Sequence, residues 1–291
     1  MAAYHGGKRP QPQGGYQLYS WYFLRVSGLA LIVLALGHLF FTHYVRLPYE
    51  TNFNFVAGRY AGPFWRTFDL LLLTMALIHG PMMGAQLSIE DYVHRRGARQ
   101  LAVSALYAVG YTLLVLGLVT VLIFQRPTGG AQSGGPLWLS DVMGWLLTLV
   151  AIVTYVGAVG VVFWLARAIS QGVMYWGGWG MVAWVLHRAA GLGVAFFLLI
   201  HIVDIMLINV SPDVYDATVV LYKTPFLVPM EIALVGAVVY HGMNGLRVIA
   251  LDVWVGALRR QRELFFAVVT LTVVLVAPSA LFLIFPGIAP Q

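Results

Sequence analysis

Cysteine is absent from this 291-residue chain, and charge is scarce. The first absence excludes disulfides, thiolate metal sites and covalently attached c-type haem, and leaves imidazole as the obvious metal ligand. The second absence is as informative. Charged residues make up 10% of the chain against 60% hydrophobic, and the mean hydropathy is +0.82. A soluble domain carries about 25% charged residues, so the composition reads as an integral membrane protein. The formal charge of +6 then requires no nucleic acid, because membrane proteins gather arginine on the cytoplasmic side. An N-terminal apolar core of the secretory kind is missing too. Residues 1–19 are rich in Gly, Pro and Gln, with Lys8 and Arg9, and predict a short, uncleaved cytoplasmic tail.

What the chain does contain is long apolar runs. They lie near 20–45, 64–88, 101–124, 140–166, 184–209, 226–254 and 263–285. Each meets the requirement of about 20 residues for a helix across the hydrocarbon core. Turn-forming residues punctuate them: Pro48 and Pro63, RRGAR at 95–99, PTGGAQSGGP at 127–136, GGWG at 177–180, Ser211–Pro212 and Arg259–Arg260. An all-α protein of seven transmembrane helices is expected. With the N-terminus inside, Lys8, Arg9, Arg25, Arg95, Arg96, Arg99, Arg167, Arg188, Arg247, Arg259, Arg260 and Arg262 fall on the cytoplasmic side. Arg46, Arg59, Arg66, Arg126 and Lys223 fall outside, so the imbalance predicts N-in and C-out.

One pattern occurs twice. WYFLRVSGLALIVLALGH at 21–38 answers WVLHRAAGLGVAFFLLIH at 184–201, which aligns Arg25 with Arg188, Gly28 with Gly191 and His38 with His201, all 163 residues apart. His79 in ALIHGPMMG answers His241 in VVYHGMNGLR at nearly the same offset. Long-period self-similarity marks a duplicated unit. The chain therefore divides into the tail 1–19, a three-helix repeat 20–126, a linker with one extra helix 127–176, and a second three-helix repeat 177–291. A three-helix unit ends on the far side of the membrane, so the extra helix is the return stroke that makes the repeats parallel.

Depth sorts the histidines. His38 and His201 come late in outward-running helices, and His79 and His241 lie past the middle of inward-running ones. This predicts an outer and an inner pair separated by about 10–15 Å at 1.5 Å per residue. Two stacked bis-histidine sites in a four-helix core fit haem b, with one imidazole from each repeat on each iron. The competing readings are packing histidines and, less well matched, zinc or copper, which lack a third ligand at either level. Gly28 and Gly191 lie near the inner level, where a missing side chain lets a flat macrocycle approach, or simply lets helices pack.

A second constellation sits at the cytoplasmic helix ends. Arg25, His187 and Arg247 are of the kind that bind haem propionates. Tyr92 with Asp91 and Arg188 is of the kind that bonds a quinone carbonyl and supplies its proton; snorkelling interface anchors are the simpler reading. Asp69 and Asp204, in outer helix halves, suggest a proton path or a propionate neighbourhood.

These residues resemble a family. HRAAG at 187–191, His201 with Asp204, SPDVYD and YHGMNGLRVIALD look like the C-type cytochrome b anchor of succinate dehydrogenase, and LIHGPMMGAQLSIEDYV resembles the D-type anchor. The resemblance covers both three-helix units, as if two anchors were fused. It implies a di-haem membrane anchor of a succinate:quinone oxidoreductase in the cytoplasmic (inner) membrane. His79 and His241 would hold the inner haem and His38 and His201 the outer one. Asp91, Tyr92 and Arg188 match the quinone site. Trp184 stands where ubiquinone-type members have a serine, which points to menaquinone. FAD and iron–sulfur clusters would reside on partner subunits alone, a flavoprotein and an iron–sulfur protein docked on the cytoplasmic face. A homo-oligomer of the complex is compatible with this arrangement. Seven helices exceed the five of single-chain di-haem anchors. The rival readings are another di-haem b-type quinol-oxidising cytochrome using His187 and His201, fourteen apart on one helix, against which Leu24 stands at the first-repeat counterpart of His187, and a parallel-repeat proton-coupled transporter.

Overall fold

The computed structural model describes residues 15–46, 48–125, 134–173 and 177–285; Lys8, Arg9, Arg126 and most of the expected tail lie outside the described residues. Helix α1 (Gly15–Phe40) continues as a π-helical turn, Phe41–Val45. The short α2 (Phe53–Arg59) follows, then α3 (Pro63–Leu77), a π-helical stretch Ile78–Ala85 and α4 (Gln86–Tyr92), which together form one continuous rod. Next come α5 (Arg96–Ile123), α6 (Trp138–Ser170), α7 (Gly178–Met206), α8 (Pro212–Tyr222), α9 (Val228–Val253), α10 (Val255–Arg259) and α11 (Gln261–Ile284). Among the described residues seven helices are long and apolar enough to span a membrane: Leu18–Val45, Pro63–Tyr92, Arg96–Ile123, Trp138–Ser170, Gly178–Asn209, Val228–Val253 and Gln261–Ile284. The chain is a multi-pass membrane protein.

Local chemistry sets the ends of these helices. Proline opens α3, α8 and α9, where its missing N–H costs nothing. The Asn52 side chain caps α2 through Phe55 N at 3.0 Å, and Ser211 caps α8 through Val214 N at 3.1 Å. Arg66 closes the other end of α5, donating to the carbonyls of Val121 at 2.7 Å and Phe124 at 2.6 Å. It thereby satisfies carbonyls that no further turn reaches.

Helices α1, α3 with its π stretch, α7 and α9 form the central bundle: α1 packs against α3 and α9, and α7 against α9 and the π stretch. Helix α5 lies against α3 and α7, α11 against α9 and α7, and α6 leans on α7, α8 and α9 from outside. The main apolar core lies at the end where α2 and α8 meet, around Phe53, Phe124, Leu147, Tyr215 and Met230. The two short helices were not expected from the apolar runs, since neither is long enough to span. They matter because they join the halves: Phe53 N donates to Asp216 Oδ1 at 2.6 Å, and the rings of Phe53 and Tyr215 meet edge to face at 6.5 Å. Phe53 and Asp216 are themselves 163 residues apart.

Candidate functional site

The four intramembrane histidines meet in the pairs that their depths predict. The ring centres of His79 and His241 are 6.3 Å apart at 88°, and those of His38 and His201 are 6.4 Å apart at 72°. Two imidazoles bound to one metal ion from opposite sides, each through a bond of about 2 Å, hold their ring centres about 6–6.5 Å apart. Both pairs therefore stand at the separation of trans axial ligands. Among the described residues no group of three His, Cys, Asp or Glu converges to hold a bare metal ion. Two facing imidazoles are a donor set that a porphyrin iron would accept.

The hydrogen bonds around the rings decide which nitrogen is free. Ser27 donates its hydroxyl proton to the Phe23 carbonyl at 2.6 Å, so across the 2.8 Å contact with His79 it accepts from Nδ1–H. His241 Nδ1 lies 3.1 Å from the His187 carbonyl, which only accepts. The Nδ1 atoms of His201 and His38 face carboxylate oxygens, Asp204 at 3.4 Å and Asp69 at 3.9 Å. In both inner rings Nδ1 is hydrogen-bonded to an acceptor, which leaves the Nε2 lone pair free; in the outer pair a carboxylate faces Nδ1, but His38 Nδ1 has no hydrogen-bond partner within the protein. Metal-bound histidines commonly carry such a partner on the second nitrogen.

The level separation follows from contacts on α1 and α7. Ser27 touches the inner pair and His38, eleven residues on, belongs to the outer one. Gly191 adjoins His241, and His201 lies ten residues beyond it. At 1.5 Å per residue both registers put the levels about 15 Å apart. Gly191 proves to serve the histidine itself: a Cβ there would stand 2.7 Å from His241 Cε1, so the ring occupies the space that a side chain would need. At Gly28 the corresponding distance to His79 Cε1 is 3.5 Å, an ordinary contact.

The inner pair sits at an irregularity. His79 and Pro81 lie in the π-helical stretch Ile78–Ala85. Pro81 has no N–H to return to Leu77, and the wider turn absorbs the loss. Proline two residues after the histidine was the sequence signal for it. His187 lies flat on His241, ring centres 4.0 Å apart at 7°. Around this level His187 Nδ1, Arg188 Nη1, Asn244 Oδ1 and Arg247 Nε are buried without a hydrogen-bond partner within the protein. Buried polar atoms are normally satisfied, so the unused donors of His187 and Arg247 fit the carboxylates of a bound haem, and that of Arg188 is left for another acceptor. Asn244 was not singled out in the sequence; its helical neighbourhood with His241 was the available signal.

Arg25 is differently placed. Its Nε and Nη2 bond Asp252 Oδ2 at 3.1 and 2.6 Å, and its Nη1 bonds the Trp21 carbonyl at 3.3 Å. Every guanidinium nitrogen is engaged, so Arg25 acts as a clasp between the first and last parts of the bundle. Its counterpart Arg188 pairs with Asp91 at 2.5 Å. Arg25 stacks on Trp21 at 4.0 Å and Arg188 on Trp184 at 4.3 Å. The two clusters are alike, each joining an arginine of one half to an aspartate of the other, but only Arg188 keeps an unused donor. Asp91, Arg188 and Trp184 thus come together as expected, while Tyr92 stands beside them 63% exposed at the rim.

The outer level is framed by ionisable residues. Asp69 pairs with the buried Arg59 at 2.7 Å, and Asp204 accepts from the Tyr222 hydroxyl. His43 and Glu231 lie 3.2 Å apart nearby. Outside the spans, burial pushes the phenols of Tyr60 and Tyr215 well up, with Asp69 and Asp204 respectively adding to it, so both remain protonated.

Comparison with known proteins bears on this arrangement. The family model of the succinate dehydrogenase/fumarate reductase transmembrane subunit matches residues 12–124 and 165–278. The succinate dehydrogenase 2 membrane subunit SdhC of Mycobacterium tuberculosis is 38% identical over 119 residues, 39% of this chain and 88% of that protein. The succinate dehydrogenase hydrophobic membrane anchor subunit of Halobacterium salinarum is 33% identical over 101 residues, 34% of this chain and 77% of its own.

Proposed function

Because the chain belongs to the succinate dehydrogenase/fumarate reductase transmembrane-subunit family, we propose that it is the di-haem cytochrome b anchor of a succinate:quinone oxidoreductase, built as two fused anchor units. The observation that carries the reading is the pair of bis-imidazole separations, 6.3 and 6.4 Å, with Nδ1 of both inner rings already hydrogen-bonded so that their Nε2 atoms are left free. The two-unit reading is supported by the two matched stretches, and by relatives that are spanned over most of their length by little more than a third of this chain. Contacts between Phe53 and Asp216, and between His38 and His201, add residues one offset apart that meet across the bundle.

Haem b, when bound, supplies one-electron stations between an iron–sulfur partner and the quinone. His79 and His241 hold the inner group and His38 and His201 the outer one. His187 and Arg247 bond propionates at the inner level. At the cytoplasmic rim Arg188 Nη1 donates to a quinone carbonyl, Trp184 offers a flat indole to its ring, and Asp91 with the exposed Tyr92 passes protons in from water. Reduction to quinol consumes two electrons and two protons per quinone. Trp184 in place of a small polar residue suits menaquinone. A flavoprotein carrying FAD and an iron–sulfur protein dock on the cytoplasmic face of the inner membrane, with the chain N-in and C-out. Succinate is oxidised there, or fumarate reduced when the path runs in reverse.

The test is a pyridine haemochrome assay with reduced-minus-oxidised spectra of the purified complex. Two haems b are expected in the wild type, and one in each of His38→Ala and His241→Ala. A haem-free complex would sink the reading in favour of the transporter. At the rim, Arg188→Leu is expected to lower quinone reduction at least tenfold at unchanged haem content, about the worth of one charge-assisted hydrogen bond. Arg25→Leu, which removes a clasp with no spare donor, should leave the quinone KM near that of the wild type. Equal loss in both variants would argue against a quinone site at Arg188.

A further inference from the structure

Carboxylates stand behind the outer histidines, whereas a hydroxyl and a carbonyl stand behind the inner ones. His201 Nδ1 lies 3.4 Å from Asp204 Oδ1 and His38 Nδ1 lies 3.9 Å from Asp69 Oδ1. The inner rings turn the same nitrogen to Ser27 Oγ at 2.8 Å and to the His187 carbonyl at 3.1 Å. Both aspartates lie within spanning helices, and Asp204 is 4% exposed. A carboxylate in such surroundings costs free energy unless something specific holds it. Asp69 is held by the Arg59 guanidinium at 2.7 Å. Asp204 is held by the Tyr222 hydroxyl, and no arginine or lysine pairs with it among the described residues.

On the two-haem reading above, we infer that Asp204 and Asp69 are positioning residues of the outer centre, held in turn by Tyr222 and Arg59. Asp204 faces His201 Nδ1 and favours the tautomer that leaves Nε2 for the iron, whereas Asp69, beyond hydrogen-bond reach of His38, acts on its ring through charge alone. Each also makes its imidazole a more electron-rich ligand than a hydroxyl or amide carbonyl does. Negative charge behind an axial ligand favours the oxidised metal, because the reduced form carries one positive charge fewer for it to stabilise. The outer centre is therefore the harder of the two to reduce. The two acids are unequal. The negative charge of Asp69 is shared with Arg59 and lies farther from its ring, whereas that of Asp204 is answered by a phenol alone, so Asp204 has the greater influence.

The test is a potentiometric titration of the purified complex followed in the visible spectrum, with haem counted in the same samples. Asp204→Asn is expected to keep two haems and to raise the midpoint of the lower-potential haem alone. Tyr222→Phe, which frees the carboxylate of its phenol donor, is expected to lower that same midpoint. A purely structural role gives neither the selectivity nor the opposite signs. Two haems with unmoved midpoints, both midpoints moving together, or both variants shifting in one direction would overturn the assignment and leave the two-haem reading intact. If Asp204→Asn does not assemble, Tyr222→Phe decides: a downward shift of one midpoint supports the assignment and no shift overturns it. A wild-type complex with fewer than two haems overturns both. Asp69 is left intact here because Arg59 depends on it.

Discussion

Asp69→Ala is expected to destabilise the protein by about 3–5 kcal/mol, the usual cost of stranding one member of a buried ion pair. The side chains of Arg59 and Asp69 are 8% and 13% exposed and meet at 2.7 Å. Arg59 Nε already has no hydrogen-bond partner, and the guanidinium lies over Trp65 at 4.6 Å and Phe41 at 5.5 Å. Once the carboxylate is gone, the cation has two aromatic faces and no anion within the protein. It cannot leave for water without unpacking α2 from α3. The double variant Arg59→Met with Asp69→Leu is expected to lose much less than the sum of the single losses, since the pair contributes little beyond its own desolvation. Denaturant unfolding in detergent, read by helical circular dichroism, measures both. A loss under about 1 kcal/mol for Asp69→Ala would mean that the pair is solvated as a surface pair is.

Gly191→Ala is expected to displace His241 and, on the proposed two-haem reading, to cost the inner haem. The added methyl would lie 2.7 Å from His241 Cε1 and 2.9 Å from Nδ1. A ring at the end of a flexible side chain could swing aside, but this one cannot do so freely. It is sandwiched by His187 at 4.0 Å and tied by its Nδ1 to the His187 carbonyl. The strain must therefore go into separating α7 from α9, and overpacking of that kind costs about 1–3 kcal/mol. Gly28→Ala is the internal control: its methyl would meet His79 Cε1 at 3.5 Å, so near-normal stability and haem content are expected. Haem content and thermal unfolding of the two variants separate the cases. Equal behaviour would show that the glycines do the same job in both halves, contrary to the geometry.

Much of this was readable in the chain before any coordinates. The seven spans follow from apolar runs whose length the membrane dictates, and the histidine pairs follow from a repeat offset that carries each histidine to the same depth as its counterpart. The family resemblance grouped Trp184, Arg188 and Asp91, and the fold brings these side chains into contact. Other features left weaker traces. Helices α2 and α8 are too short to register as spans, although Asn52 and Ser211 cap them. Ser27 gives no signal, because its counterpart in the second half is Ala190. The pairing of Arg25 with Asp252 joins residues 227 apart, and their sequence surroundings are those of ordinary interface anchors.

The sequence by itself determined the membrane class, the number of crossings, the doubled pattern and the depths of the four histidines. These depend on hydropathy and on residue count along a helix of fixed rise, both of which are local. Only the tertiary structure decided which ring nitrogen each inner histidine keeps free, which arginine keeps a free donor, and which carboxylates stand behind which pair. Those outcomes depend on the rotation of each helix about its own axis and on the π-helical shift at His79, which change the partners of a side chain without changing its depth.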